Sequence, residues 1–153
     1  MKYTIKTLED LEKFAKILAR NLQSGDVYSL VGDLGAGKTT LVQMIGKEIG
    51  VDDYITSPTF ALVNIYDGDF RLYHLDLYRL NNPEEIENLD FESYFYPEGI
   101  SFIEWAEKAE GYLPDEMIEI NIRQDNGFRQ IEITKNNQRA IDLERKIDEG
   151  FSY

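Results

Sequence analysis

Eight consecutive residues, Gly32-Asp33-Leu34-Gly35-Ala36-Gly37-Lys38-Thr39, fit the spacing G-x-x-x-x-G-K-[ST] at every defined position. That spacing has one chemistry. Small residues let successive backbone N–H groups curl around a phosphate, and a helix beginning just after them directs its partial positive charge at the same anion. The backbone of Asp33, Gly35, Ala36 and Gly37 forms the cradle, while Lys38 is spaced to reach β- and γ-phosphates. Thr39 offers a hydroxyl to Mg²⁺, and Thr40 is placed to hydrogen-bond an α-phosphate.

A magnesium ion bound with phosphates needs further oxygen ligands, commonly a carboxylate at the end of a neighbouring strand. Two acids compete for that position. Glu104 follows the apolar run Ile100-Ser101-Phe102-Ile103, where open α/β sheets present ligand-facing groups. Asp76 lies in His74-Leu75-Asp76-Leu77-Tyr78-Arg79, where period 2 puts His74, Asp76 and Tyr78 on one polar face and the two leucines on the other. His74 beside Asp76 is either a base or a structural hydrogen-bond partner. Trp105, the single tryptophan, is either packing or a site aromatic.

These side chains need a scaffold, and the chain supplies one. Thr7 to Leu22 has helical apolar spacing behind a capping-type Thr7/Asp10 pair. Asp26 to Val31 reads as a strand, Gly32 to Gly37 as the glycine loop, and Lys38 to Ile49 as a helix stopped by Gly50. Phe60 to Tyr66 and Phe70 to Tyr78 are strand-like about Asp67-Gly68-Asp69; Met117 to Ile122 and Phe128 to Ile133 are strand-like about Asn126-Gly127. Pro83 to Asn88 starts like a short surface helix, a helical turn runs from Trp105 to Ala109, and Arg139 to Ile147 has helical spacing. The expected architecture is α/β: a single-domain P-loop NTPase with a mostly parallel central sheet, antiparallel hairpins and flanking helices. One domain over residues 1–153 is expected, because no repeat, linker or low-complexity stretch interrupts the pattern.

Composition narrows the partners. Lys and Arg total 16 against 29 Asp and Glu, a formal charge of −13 that repels polyanions across the surface. A protein whose main task is gripping nucleic acid is disfavoured. The chain has no cysteine and one histidine, so thiolate zinc sites, cysteine nucleophiles and His-rich metal sites are excluded. No apolar run approaches the roughly 20 residues needed to cross a bilayer, and the first ten residues do not read as a signal peptide. A soluble cytoplasmic protein without membrane contact is expected. The acidic stretches Glu84 to Glu92 and Glu107 to Glu119 read as solvated faces.

Four blocks taken together are more specific than the phosphate loop alone: Gly32 to Thr40 (GDLGAGKTT), Thr56 to Phe60 (TSPTF), His74 to Arg79 (HLDLYR) and Ile103 to Lys108 (IEWAEK). In order and spacing they resemble the TsaE family, bacterial P-loop ATPases of tRNA threonylcarbamoyladenosine biosynthesis, over about Leu8 to Ile133. The resemblance implies an ATPase that uses ATP and Mg²⁺ and works with TsaB and TsaD. Those two partners place a threonylcarbamoyl group on the adenosine beside the anticodon of tRNAs reading codons that start with A. In that family the small ATPase does not perform the transfer; it binds the TsaB–TsaD complex, and its hydrolysis supports repeated turnover, with tRNA met only through the complex. Carried over residue by residue, Lys38 and Thr39 match phosphate and Mg²⁺ positions, and Ser57, Pro58, Thr59 and Phe60 match a switch-like segment. Asp76 matches the acid required for hydrolysis, Glu104 the Mg²⁺-associated acid and Trp105 its aromatic neighbour. The residues after Lys135 match nothing specific in the family.

Two other classes fit a phosphate loop: a small-molecule kinase with Asp76 as base, and a nucleotide-gated binding module. A kinase lid rich in arginine is not apparent, since no Arg or Lys occurs between Arg79 and Gly99. A guanine-reading N-K-x-D segment is also missing, for Thr134-Lys135-Asn136-Asn137 lacks the acid.

Overall fold

The computed structural model describes residues 2–33, 35, 37–58 and 62–151. Strand β1 (Lys2–Ile5) leads into α1 (Leu8–Arg20), then β2 (Val27–Val31) and α2 (Lys38–Glu48). The hairpin β3 (Val63–Asp67) and β4 (Arg71–Asp76) follows, then a 3₁₀ segment (Pro83–Asn88), α3 (Phe91–Phe95) and β5 (Ile100–Glu104). A second 3₁₀ turn (Ala106–Ala109), the hairpin β6 (Ile118–Asp125) and β7 (Phe128–Thr134), and α4 (Gln138–Phe151) complete the order.

All seven strands form one sheet, ordered β1-β7-β6-β2-β5-β4-β3. Its centre, β6-β2-β5-β4, is parallel, and antiparallel pairs close both edges. The α/β reading therefore holds, with parallel strands buried in the middle and hairpins outermost. Alternating side chains divide the core. On one face Tyr28, Phe102 and Ile120 pack with α1, α2 and α4; on the other, Val27, Leu75 and Ile103 pack under the short segments through Ile86, Phe95 and Ala106.

Local chemistry accounts for most element ends. Thr7 accepts the Asp10 N–H at 3.1 Å, and Asp10 in return accepts the Lys6 N–H at 3.0 Å, so α1 begins where the capping pair predicts. Asn126 and Gly127 both have positive φ, at 50° and 85°, as a two-residue mirror-image hairpin turn requires. Two elements were not foreseen, β1 and α3. The last helix is tied in by a polar contact: Arg139 donates from Nε and Nη2 to both oxygens of Asp26, at 3.0 and 2.8 Å, and Tyr28 donates to the same carboxylate.

The period-2 faces of β4 are as read, and His74 is fully buried, because α2 covers the side of the sheet to which His74 and Asp76 point. Its partner is Glu104 on β5, not the adjacent Asp76.

Candidate functional site

The glycine loop leaves β2 at its C-terminal end and turns into α2. Gly35 and Gly37 have φ of 82° and 105°, values that side-chain-bearing residues avoid. Gly37 is the N-cap of α2 and no side chain caps that helix, an arrangement a bound anion can complete. Lys38 opens the helix and is itself buried. Its ammonium donates to the Gly32 carbonyl at 2.9 Å, lies 3.6 Å from Glu104 Oε1, and sits 5.4 Å from the centre of the Trp105 ring.

Glu104 is 5% exposed and held on two sides, by Lys38 and by His74 Nε2 at 2.8 Å from Oε2. Burial pushes its pKa up, but the hydrogen bond and charge of His74, with Lys38, outweigh that and keep it below the ordinary carboxylate value. An ionised carboxylate accepts only, so Nε2 carries the donated proton. Among the described residues the buried Nδ1 has no hydrogen-bond partner.

Parallel pairing of β4 and β5 brings the two acids together: Asp76 and Glu104 are register partners at the last positions of adjacent strands. Asp76 Oδ1 accepts the Tyr78 N–H at 3.0 Å, which turns the chain away from the sheet after β4. Thr39 Oγ1 and Ser57 Oγ are 2.8 Å apart, so the hydroxyl expected to serve a metal is joined to the switch-like segment. A cleft of about 430 Å³ is lined by Gly35, Gly37, Lys38, Thr39 and Thr40, by Ser57 and Pro58, and by Asp76, Glu104 and Trp105. Four separate stretches of chain thus meet at one place. Asp33 is exposed and is not among the lining residues; Ala36, Thr59 and Phe60 lie outside the described residues.

Trp105 has φ of 60°, a left-handed conformation that costs a residue with a Cβ about 1–2 kcal/mol. Its ring tilts against Tyr78 at 5.0 Å between centroids. The tryptophan is therefore a wall of the cleft rather than core packing.

Sequence reasoning missed Arg129 and Gln124. Arg129 lines the cleft from β7, and its guanidinium carbon lies 3.1 Å from where a Cβ on Gly37 would stand. Gln124 donates from Nε2 to the Gly35 carbonyl at 3.2 Å. The signal available was indirect: β6 must lie beside β2 for the Asn126-Gly127 turn to reach the loop, and strand order is not written locally.

Among the described residues no cluster of three or more His, Cys, Asp or Glu could hold a metal ion by itself. The donor set still suits Mg²⁺, which is commonly bound by one or two protein oxygens with substrate phosphates and water. Thr39 and Glu104 are the groups that could supply them. Among the described residues no helix is long and apolar enough to cross a membrane.

Comparison with known proteins gives a consistent result. Residues 5–132 match the family model described as threonylcarbamoyl adenosine biosynthesis protein TsaE. The tRNA threonylcarbamoyladenosine biosynthesis protein TsaE of Nostoc sp. is 46% identical over 133 residues, covering 83% of this chain and 81% of that protein. The protein of the same name from Rickettsia typhi is 41% identical over 138 residues, 88% of this chain and 95% of that one. The crystal structure of YdiB from Bacillus subtilis superposes with a TM-score of 0.80 at 32% identity, covering 97% of this chain and 94% of that one. With the matched region spanning the glycine loop, both acids and Trp105, the chain belongs to the TsaE family.

Proposed function

We propose that this protein is a Mg²⁺-dependent ATPase of tRNA threonylcarbamoyladenosine formation, acting on a TsaB–TsaD complex rather than performing the transfer itself. One observation carries the reading: Lys38 and Thr39, with Asp76 and Glu104 from distant stretches of the chain, line a single cleft around an uncapped helix start. The family names of its relatives supply the pathway.

The roles follow from position. Lys38 exchanges its contacts to Gly32 and Glu104 for the β- and γ-phosphates of ATP, and the N–H groups of the loop and first turn bind the remaining oxygens. Asp76, at the rim of the cleft and held by the Tyr78 N–H, orients the attacking water and accepts its proton. Thr39 and Glu104 are the residues that would hold the metal, Glu104 with its orientation fixed by His74. Mg²⁺, when bound, neutralises charge on the transferring phosphoryl group. If Thr39 served the metal, its contact with Ser57 would be given up, which would couple nucleotide state to the segment that begins there.

The charge of −13 opposes direct capture of tRNA and favours steering toward a basic protein surface. Residues 80–98, between β4 and β5, carry no Arg or Lys with which to close over a kinase substrate. The test is an ATPase assay on the protein alone, with tRNA alone, and with TsaB–TsaD, at low and high salt. Slow hydrolysis alone, acceleration by TsaB–TsaD and loss of that acceleration as salt screens the surface are expected. Stimulation by tRNA alone with none by TsaB–TsaD overturns the proposal.

A further inference from the structure

Away from the phosphate cleft, α3 and β4 border a second concavity of about 660 Å³, lined by Tyr73, Phe91, Glu92, Ser93, Tyr96 and Glu98. It shares no residue with the cleft. Glu98 stands just before β5 begins and Glu104 ends that strand, so groove and cleft lie toward opposite ends of it. The aromatic walls are braced from behind: the Tyr73 ring centre is 5.6 Å from that of Tyr94, and the Phe91 ring centre 5.5 Å from that of Tyr112. Tyr96 is 65% exposed, and Ile65, the cross-strand partner of Tyr73 on β3, is 49% exposed. β3 is the last strand of the sheet, so no further strand covers Ile65. Large apolar side chains left in water beside a braced aromatic wall mark a contact surface.

Charge selects what the surface contacts. Other acids of the same stretch are engaged: Asp90 accepts from Ser93 Oγ at 2.8 Å, Glu85 accepts the Asn81 N–H at 3.2 Å, and Glu87 accepts from the Tyr112 hydroxyl. Among the described residues the carboxylates of Glu92 and Glu98, which line the groove, make no hydrogen bond or ion pair. Residues 80–98 contain no Lys or Arg. Arg71, two residues before Tyr73 on the same face of β4, donates to Asp67 at 3.0 Å and is not part of the lining.

We propose that this groove docks an arginine of a protein partner, carried in a short segment whose apolar neighbours cover Tyr96 and Ile65. A guanidinium stacks its plane on an aromatic face and pairs its N–H fork with a carboxylate, whereas an ammonium offers only a point charge. A phosphate-bearing partner is repelled by the two free carboxylates, and a small cation leaves the exposed side chains uncovered. The inference rests on the reading that TsaB–TsaD is the partner, and it gives the acidic surface one place of contact. Because the groove is separate from the cleft, docking and nucleotide binding are separable.

The test measures the affinity of TsaB–TsaD, with ATP and Mg²⁺ present, for the wild type, Tyr96→Ala, Tyr96→Phe, the pair Glu92→Lys/Glu98→Lys and a control pair, Glu12→Lys/Glu149→Lys. The two pairs change net charge equally, and the control acids are exposed on α1 and α4, which pack on the other face of the sheet. Tyr96→Ala is expected to weaken binding about 5- to 30-fold, as truncation of an interface anchor does. Tyr96→Phe keeps the ring and stays near the wild type. The groove pair loses more affinity than the control pair, whose loss reports long-range attraction only. Every variant binds ATP as the wild type does. Acetyl-Leu-Arg-Leu-amide shifts the amide resonances of residues 91–96, and the same peptide with uncharged citrulline in place of arginine does not. Wild-type affinity in Tyr96→Ala with equal losses in the two pairs overturns the groove and leaves the ATPase reading intact. Equal shifts from the two peptides, or none, overturn the arginine. A wild type that TsaB–TsaD does not bind overturns the groove and the partner reading together.

Discussion

His74 is the position where a single substitution separates the architecture of the site from its nucleotide chemistry. It donates to Glu104 at 2.8 Å from a fully buried ring and has no place in the cleft lining itself. Replacing it by Phe keeps the ring and removes the donor. A hydrogen bond to a charged group contributes about 1.5–3 kcal/mol, and for a domain near this length each kcal/mol moves Tm by about 2–4 °C, so a loss of roughly 3–12 °C is expected. The pH dependence is more diagnostic. Glu104 has its folded pKa depressed, so the stability it contributes is present above the unfolded carboxylate pKa and is lost as pH falls through the folded one. Without His74, burial acts upward against Lys38 alone, so the folded value rises. Thermal unfolding of the wild type and His74→Phe between about pH 4 and pH 8 shows the two curves diverging, the variant losing stability at the higher pH. His74→Gln, whose amide can donate from near the Nε2 position, recovers part of the difference. Parallel curves, with the variants alike, refute the claim that His74 sets the state of Glu104.

The Lys38→Ala protein removes the cation at the loop, and ATP affinity measured by titration with Mg²⁺ falls roughly 10- to 150-fold; unchanged binding contradicts the phosphate-loop assignment. Asp76→Asn keeps the acceptor for the Tyr78 N–H and removes the charge. It should bind ATP normally while hydrolysis with TsaB–TsaD drops by about 10²–10⁴-fold, the range of general-base contributions; a normal rate makes Asp76 a turn-forming residue only. Glu104→Gln instead shifts the Mg²⁺ dependence of hydrolysis to higher concentration, and an unmoved Mg²⁺ midpoint excludes it from the metal site.

How far the sequence spoke depended on the range of the interaction. The phosphate loop was legible because its requirements are local: small residues of permissive φ at Gly35 and Gly37, then Lys38 and Thr39 on the first turn of a helix. The Thr7/Asp10 cap and the Asn126-Gly127 turn were legible for the same reason. The strand β1 was not, since four residues with alternating Lys2, Tyr3, Thr4 and Ile5 show their pattern only once β7 lies beside them. The clamp on Glu104 was hidden more deeply. His74 and Glu104 are 30 residues apart, and Gln124 and Gly35 are 89 apart; the first contact exists because β4 pairs with β5, the second because β6 lies beside β2. The topology also divides the work. The β5 side carries the acids that the motifs announced, while the β6 side carries Arg129 and Gln124, which no motif announced because a side chain that reaches the loop can come from many positions on a hairpin. A phosphate loop constrains its own residues tightly and its neighbours hardly at all, so the loop is read from sequence and the side chains that other strands bring to it are read from strand order.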